Sequence, residues 1–282
     1  MVVLLRAFII LPLLIGRACA SELTVGFDPQ VASQGKTFAV YVDSEKPFND
    51  ASALFLGQKI KLYFVDGRFR GLIGIPPEQK AGRYKVKIFL TREGGTSQEI
   101  EKTMEVRPTR FASTWFRLKP AKKKLYVPDL IQKEWAEIEK KLLVEESEQR
   151  WQEEFMLPVK GPISMTFGTV EHINGKRTGQ HRGLDIAVPG GTPVKAAESG
   201  KIVFAEKLKA FGGTIVIDHG QGVHSLYFHL SKFLTKPGQE VAKGERIALS
   251  GNSGISSGPH LHWGMSIHDV RVDPLQWTKY VF

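Results

Sequence analysis

A chain of 282 residues with 42% hydrophobic and 24% charged side chains can build two domains of ordinary size, which excludes a disordered or fibrous protein. Its single cysteine excludes an internal disulfide framework. The net charge of +10 calls for acidic partners, but no basic cluster is interleaved with aromatics, which argues against nucleic acid.

Residues 1–20 read as a signal peptide. Arg6 precedes the apolar run Ala7–Gly16, and Ala18-Cys19-Ala20 supplies an Ala-x-Ala cleavage site. The run is too short to span a bilayer, and no later segment reads as transmembrane, so no stable transmembrane anchor is expected. The expectation is an exported protein of the periplasm or cell envelope. Cleavage after Ala20 removes Cys19, Arg6 and Arg17 and lowers the net charge from +10 to +8. The acidic partners are then anionic wall polymers and membrane surfaces.

Residues 21–107 read as strands. Phe38, Val40 and Val42 alternate with Thr37, Ala39 and Tyr41, and Tyr84, Val86, Ile88 and Leu90 alternate with Lys85, Lys87 and Phe89. Asp66-Gly67 marks a turn between Lys59–Val65 and Arg68–Ile75, and Gly94-Gly95 marks another before Gln98–Val106. About seven short strands at such intervals predict an immunoglobulin-like β-sandwich. It carries no catalytic constellation and is read as a positioning module or a docking surface for an envelope protein partner.

Residues 108–157 read as a linker with one long helix, from Leu130 to about Glu154. Ile131, Trp135, Ile138 and Leu142 form its apolar stripe, Asp129 caps its start and Pro158 ends it. Its place in the chain suggests that this helix or the loop before it partly covers a neighbouring groove.

From 158 to 282, short strands and glycine turns dominate. Lys201–Glu206, Thr214–Asp218, His224–His229 and Arg246–Ser250 are the clearest strands, and Gly254–Gly258 reads as a groove loop leading into His260. All eight histidines of the chain lie between 172 and 268. On strands, residues two or four apart share a face, so His260 with His262, and His181 with Asp185, can each point at one place. Two or three imidazoles with one carboxylate are the ligand chemistry of a catalytic zinc. His181, Asp185 and one histidine of the His260-Leu-His262 pair would fill three positions and leave a fourth for water. No His-Glu-x-x-His motif supplies a glutamate base, so the remaining histidines are candidates for proton transfer. His219 is read as hairpin support, and His172, His224 and His268 as surface or groove-edge residues.

Residues from about 158 to 275 resemble the lysostaphin-type, LytM-like zinc endopeptidases that act on bacterial peptidoglycan. The matching phrases include Phe167-Gly168, Asn174-Gly175, His181-Arg-Gly-Leu-Asp-Ile-Ala187, Gly191-Thr-Pro-Val194, Val216-Ile-Asp-His-Gly220, Tyr227-Phe-His-Leu-Ser231, Gly251-Asn-Ser-Gly254 and Gly258-Pro-His-Leu-His-Trp263. The resemblance implies an antiparallel β peptidase domain at 158–282 and one Zn2+ per chain held by His181, Asp185 and His262. It implies that His229 and His260 act on the proton and the oxyanion, with peptidoglycan as substrate. The family also contains members that have lost ligands and activate other wall hydrolases; the intact set here favours an enzyme over such a regulator. One departure stands out, because 165–181 lacks the tyrosine that some members place before the first ligand.

Overall fold

In the N-terminal region, apolar alternation builds strands whose inward faces meet across a two-sheet core. The computed structural model describes residues 23–44 and 48–282, so the expected signal at 1–20 lies outside the described residues. The strands run β1 (Thr24–Asp28), β2 (Val31–Ser33), β3 (Thr37–Asp43), β4 (Asp50–Phe55), β5 (Gln58–Lys61), β6 (Tyr63–Val65), β7 (Arg68–Gly74), β8 (Gly82–Thr91) and β9 (Ser97–Arg107). One sheet has the order β1-β3-β7-β6, and the other β2-β9-β8-β4-β5. This is the A-B-E-D and G-F-C arrangement of an immunoglobulin-like sandwich, with β2 added in parallel to β9. Phe38, Val40 and Ile73 from one sheet pack on Ala53, Val86 and Ile88 from the other. Asp66 and Gly67, at φ +49° and +82°, form the expected hairpin. The run Lys59–Val65 is two strands rather than one: Leu62, whose N–H donates to the Ala51 carbonyl (2.8 Å), is where the chain passes between sheets.

The alternation in β3 hides a second buried face. Ala39 and Leu72 turn away from the sandwich core and join the core of the C-terminal region. A Cβ on Gly74 would lie 2.9 Å from Val270, so the two regions meet almost backbone to side chain. Lys36 pairs with Asp273, the Thr37 N–H donates to Gln276 (2.7 Å), and the buried Arg70 donates to the carbonyl of Phe282 (2.8 Å).

The linker contains more than one helix. It starts with a strand, β10 (Ser113–Phe116), then a short helix α1 (Pro120–Lys123), then α2 (Pro128–Leu142). Helix α2 stops twelve residues short of the expected Glu154 and is not ended by Pro158. Pro128 starts it, with Val127 rather than Asp129 at the cap position. Beyond Leu143 the chain is held by tertiary contacts instead. Glu145 accepts from the Tyr63 hydroxyl (2.8 Å), the Glu146 carbonyl accepts from Gln221 N–H (2.6 Å), and the Glu146 carboxylate pairs with Lys201 and Arg150 (2.9 Å each). Trp151 and Phe155 then enter the C-terminal core, edge-on to Trp277.

The C-terminal strands are β11 (Ile163–Met165), β12 (Val170–Ile173), β13 (Lys176–Gln180), β14 (Leu184–Ile186), β15 (Pro193–Lys195), β16 (Gly200–Lys207), β17 (Gly213–Asp218), β18 (Val223–Leu230), β19 (Lys232–Phe233), β20 (Glu240–Val241), β21 (Arg246–Leu249), β22 (Leu261–Ile267) and β23 (Val270–Val272), closed by the turn of helix α3 (Pro274–Trp277). The main sheet runs β11-β14-β22-β18-β17-β16-β20, with β23 also on β22. Leu184, Leu261, Trp263 and Met265 fill its core face. The stripe of α2 covers part of the other face, where Ile138 and Leu142 meet Phe204, Val216, Leu226 and Phe228. A small sheet, β10-β12-β13, stands beside that face and gives a linker strand a place in the fold of the C-terminal region. Among the described residues, no helix is long and apolar enough to cross a membrane.

Candidate metal centre and groove

Strand pairing brings two of the candidate ligands together. Asp185 on β14 lies directly opposite His262 on β22, and their core-side neighbours Leu184 and Leu261 are fully buried. His181 approaches from just before β14, where its N–H donates to the Thr169 carbonyl (2.8 Å). His181 Nε2, Asp185 Oδ1 and His262 Nδ1 end 2.9–3.0 Å from one another. That is close to the roughly 3.3 Å edge of a tetrahedron built on metal–ligand bonds of about 2.0 Å.

The protons say the same. His181 Nδ1–H donates to the Thr166 carbonyl (3.1 Å), so Nε2 carries a lone pair. That lone pair faces a carboxylate oxygen and the Nδ1 of His262. Lone pairs turned on one another need a proton or a cation between them. The donor set, two imidazoles and one carboxylate, fits zinc, and among the described residues it is the group that could hold a metal ion. Burial drives the His262 imidazole down to about 4, which keeps it neutral and able to ligate. Burial pushes the Asp185 carboxyl up, but His181 and His262 outweigh it and hold it well below its usual value.

His229 reaches the same cavity by breaking the strand rule. Its neighbours Tyr227 and Phe228 alternate normally, but His229 takes a φ of +61°, uncommon for a non-glycine residue. The turn sends its ring towards His260, with centroids 4.8 Å apart. Its Nδ1–H donates to the Ser253 carbonyl (2.8 Å), which leaves Nε2 as a free acceptor. His260 is set in the same way: Nδ1–H donates to the Gly258 carbonyl (2.9 Å), and Nε2 sits 3.6 Å from Asp185 Oδ2. Burial, with His260 and His262 nearby, lowers the His229 pKa to about 3.

All five residues line one cavity of about 640 Å³. The linker forms much of its wall, through Phe116, Leu118, Tyr126, Ile131 and Trp135, and Pro76 and Glu78 reach it from the sandwich. Glu134 on α2 accepts from the backbone N–H groups of Lys209, Ala210 and Phe211 (2.7, 2.8 and 3.4 Å). Lys122 donates to the carbonyls of Asn252 and Gly254 (2.6 and 2.7 Å), in the loop whose Ser253 carbonyl orients His229. The linker therefore does cover part of the groove. Tyr126 also brings to the cavity a tyrosine that residues 165–181 lack, a placement no local motif announces.

Among the other histidines, His219 is buried between the Ser199 carbonyl (2.7 Å) and the Ser225 hydroxyl (2.8 Å), a support role as expected. His224 is not at the surface: it is fully buried, 3.6 Å from Asp218, because Asp218 and His224 pair across β17 and β18 beneath the chain around Glu146. His172 stacks on the exposed Trp115 (4.6 Å) on the outer face of the small sheet.

Comparisons agree with this geometry. Peptidase family M23 matches residues 179–274. An uncharacterized metalloprotease of Haemophilus influenzae is 48% identical over 96 residues, 34% of this chain and 20% of that protein. The peptidoglycan DD-endopeptidase ShyA of Vibrio cholerae is 42% identical over 101 residues, 36% of this chain and 24% of that protein. This chain thus spans a quarter or less of the length of those relatives. A crystal structure from Pseudomonas aeruginosa described as a peptidase M23 is 28% identical and covers 86% of this chain and 94% of its own, with a TM-score of 0.64.

Proposed function

We propose, from the match of residues 179–274 to peptidase family M23, that the chain is a zinc-dependent endopeptidase hydrolysing peptide bonds in peptidoglycan stem or cross-bridge peptides. The observation that carries the reading is the convergence of His181, Asp185 and His262, with two further imidazoles, on one cavity.

His181, Asp185 and His262 would hold the zinc, which supplies Lewis acidity towards a carbonyl and brings the pKa of water towards neutrality. His229 and His260 handle the proton. Their Nδ1–H groups are committed to backbone carbonyls, so each presents Nε2 to the groove. His229, held neutral by burial, starts as an acceptor at neutral pH. One Nε2 takes the proton of the attacking water and passes it to the departing amine. The other, if it enters the cycle with a proton on Nε2 taken from solvent, donates it as a hydrogen bond to the oxygen that gains charge in the transition state and keeps it through the step. The linker wall and the rings of Phe116, Phe211 and Phe228 give the cavity its apolar lining beside this exchange. The rival reading, a non-catalytic regulator of another hydrolase, needs none of this proton machinery.

The test is mass spectrometry of fragments released from purified peptidoglycan, with and without a zinc chelator. Chelator-sensitive uncoupling or shortening of cross-linked peptides supports the endopeptidase. Release of intact stem peptide from sugar indicates an amidase instead, and no release from a zinc-loaded sample indicates the regulator.

A further inference from the structure

The cavity holds two charges of opposite sign that have no ion-pair partner among the described residues. The first is Glu171. On β12 the side chains alternate, so His172 faces outward onto Trp115 while Glu171 and Ile173 face the cavity. The Glu171 carboxylate accepts no hydrogen bond and forms no ion pair among the described residues, although burial raises its pKa and His181 lies close enough to oppose that rise.

The second is Arg271 on β23. Its guanidinium lies over Gly264, where a Cβ would come within 2.0 Å of Nη2, and it sits between the rings of Trp135 (5.2 Å) and Phe228 (6.0 Å). Nη2 donates to the Arg182 carbonyl (2.6 Å), but among the described residues Nε is buried without an acceptor and no carboxylate forms an ion pair with the guanidinium. Asp269 is its nearest acidic influence and is itself raised to about 6 by burial and by Glu139. Arg271 adjoins His262, with Gly264 and His262 on the same face of β22, while Glu171 adjoins the His181 side. By contrast, the rim charges Arg182 and Glu78 satisfy each other at 2.9 Å.

A buried charge without a partner is costly, as at Arg271 Nε, and Glu171 is a half-buried carboxylate turned into the same cavity without an ion pair, so a ligand bearing both opposite charges would relieve both. We propose that Glu171 and Arg271 are specificity-determining residues of the groove, receiving respectively an ammonium and a carboxylate of a zwitterionic peptide substrate laid across the His181–Asp185–His262 centre. A guanidinium flanked by rings suits a planar carboxylate, and a lone carboxylate suits an ammonium. This rests on the peptidase reading above and adds which substrate charges the site reads.

The test uses cross-linked dimeric peptides purified from peptidoglycan, in three forms: free, with amines acetylated, and with carboxyls amidated. For the wild-type protein, kcat/KM falls about 10- to 100-fold on either modification, the loss expected for one charge-assisted hydrogen bond. Glu171→Gln lowers kcat/KM on the free form by that factor and becomes indifferent to acetylation, while keeping its sensitivity to amidation. Arg271→Lys, which keeps charge but loses the planar fork, weakens the response to amidation and leaves that to acetylation intact. A purely structural Arg271 would change every form alike. If Arg271→Lys does not fold, Glu171→Gln carries the test alone. Wild-type ratios in Glu171→Gln overturn the proposal while leaving the peptidase reading in place. Cleavage of none of the three forms by the wild-type protein overturns the peptidase reading, and the proposal with it.

Discussion

Replacing Gly183 by alanine should cost the metal site without touching a ligand. A Cβ at 183 would lie 2.4 Å from Nε2 of His262 and 2.6 Å from the carbonyl oxygen of Trp263. Real Cβ atoms do not approach under 3.0 Å, so the His262 ring or the strand beneath it must move by at least about 0.6 Å. The ring can turn aside, but the Trp263 oxygen belongs to β22, so that second clash is relieved only by a shift of the backbone at 183 against the strand. Metal–ligand bonds tolerate about 0.2 Å. The shift is several times larger, and a drop in zinc affinity of roughly 10- to 100-fold follows, the scale seen when the support of a ligand is lost. The assay is competition for zinc against a chromophoric chelator at fixed pH, alongside thermal melting of the metal-free protein. The expected result is weakened zinc binding together with a lower melting temperature of the metal-free protein, because the strand at Trp263 is also displaced. Zinc affinity equal to that of the unchanged protein would refute the view that Gly183 sets the position of His262.

Other perturbations give separate readings. His260→Ala should retain zinc and lose about 100- to 10,000-fold in kcat, whereas His262→Ala should lose both, as metal analysis and peptidoglycan digestion will show. Full activity in either variant would undo the assigned roles. Glu134→Ala leaves the N–H groups of Lys209, Ala210 and Phe211 without their acceptor and should destabilise the fold by about 3 kcal/mol, read as a lower denaturant midpoint. His219 has a folded pKa lowered to about 4 from 6.5 by burial, so between those values the unfolded chain binds more protons than the folded one. Its contribution is therefore complete above pH 6.5 and is lost as pH falls, by about 3 kcal/mol at pH 4.5. His219→Gln should flatten that part of the stability profile, and an unchanged slope would count against a buried neutral imidazole.

The meeting of Asp185 and His262 was legible because strands convert spacing into facing, whereas His181 reaches them from the loop before β14. Asp185 opposite His262 is that rule at work. His229 obeys no spacing rule: only its positive φ turns it into the cavity, and a histidine is not the residue from which such a turn is guessed. The end of α2 was misplaced for a related reason. Glu145 and Glu146 look like helix formers, but their partners Tyr63, Lys201 and the Gln221 N–H come from elsewhere in the chain and hold the segment outside the helix. Strand β10 has the same character, since Ser113–Phe116 becomes a strand only by pairing with Val170–Ile173. The alternation in Thr37–Asp43 gave the sandwich face correctly, while Ala39, too small to signal burial, conceals the contact with the second core.

Trp151 and Phe155 precede the first strand of the C-terminal sheet, yet both are buried against Trp277 at the far end of the chain. Anyone cutting the protein into pieces meets this knot of rings first. A fragment begun at the family match, near residue 179, lacks the small sheet's β12 and both aromatic plugs, and one begun at 158 still lacks the plugs. Removing the sandwich alone uncovers Val270 and Val272 where Gly74 had rested. The shortest piece that retains its own stuffing begins before Trp151, and even that piece carries a greasy patch on its flank, so aggregation of a trimmed version is to be expected before any loss of chemistry is blamed on the site.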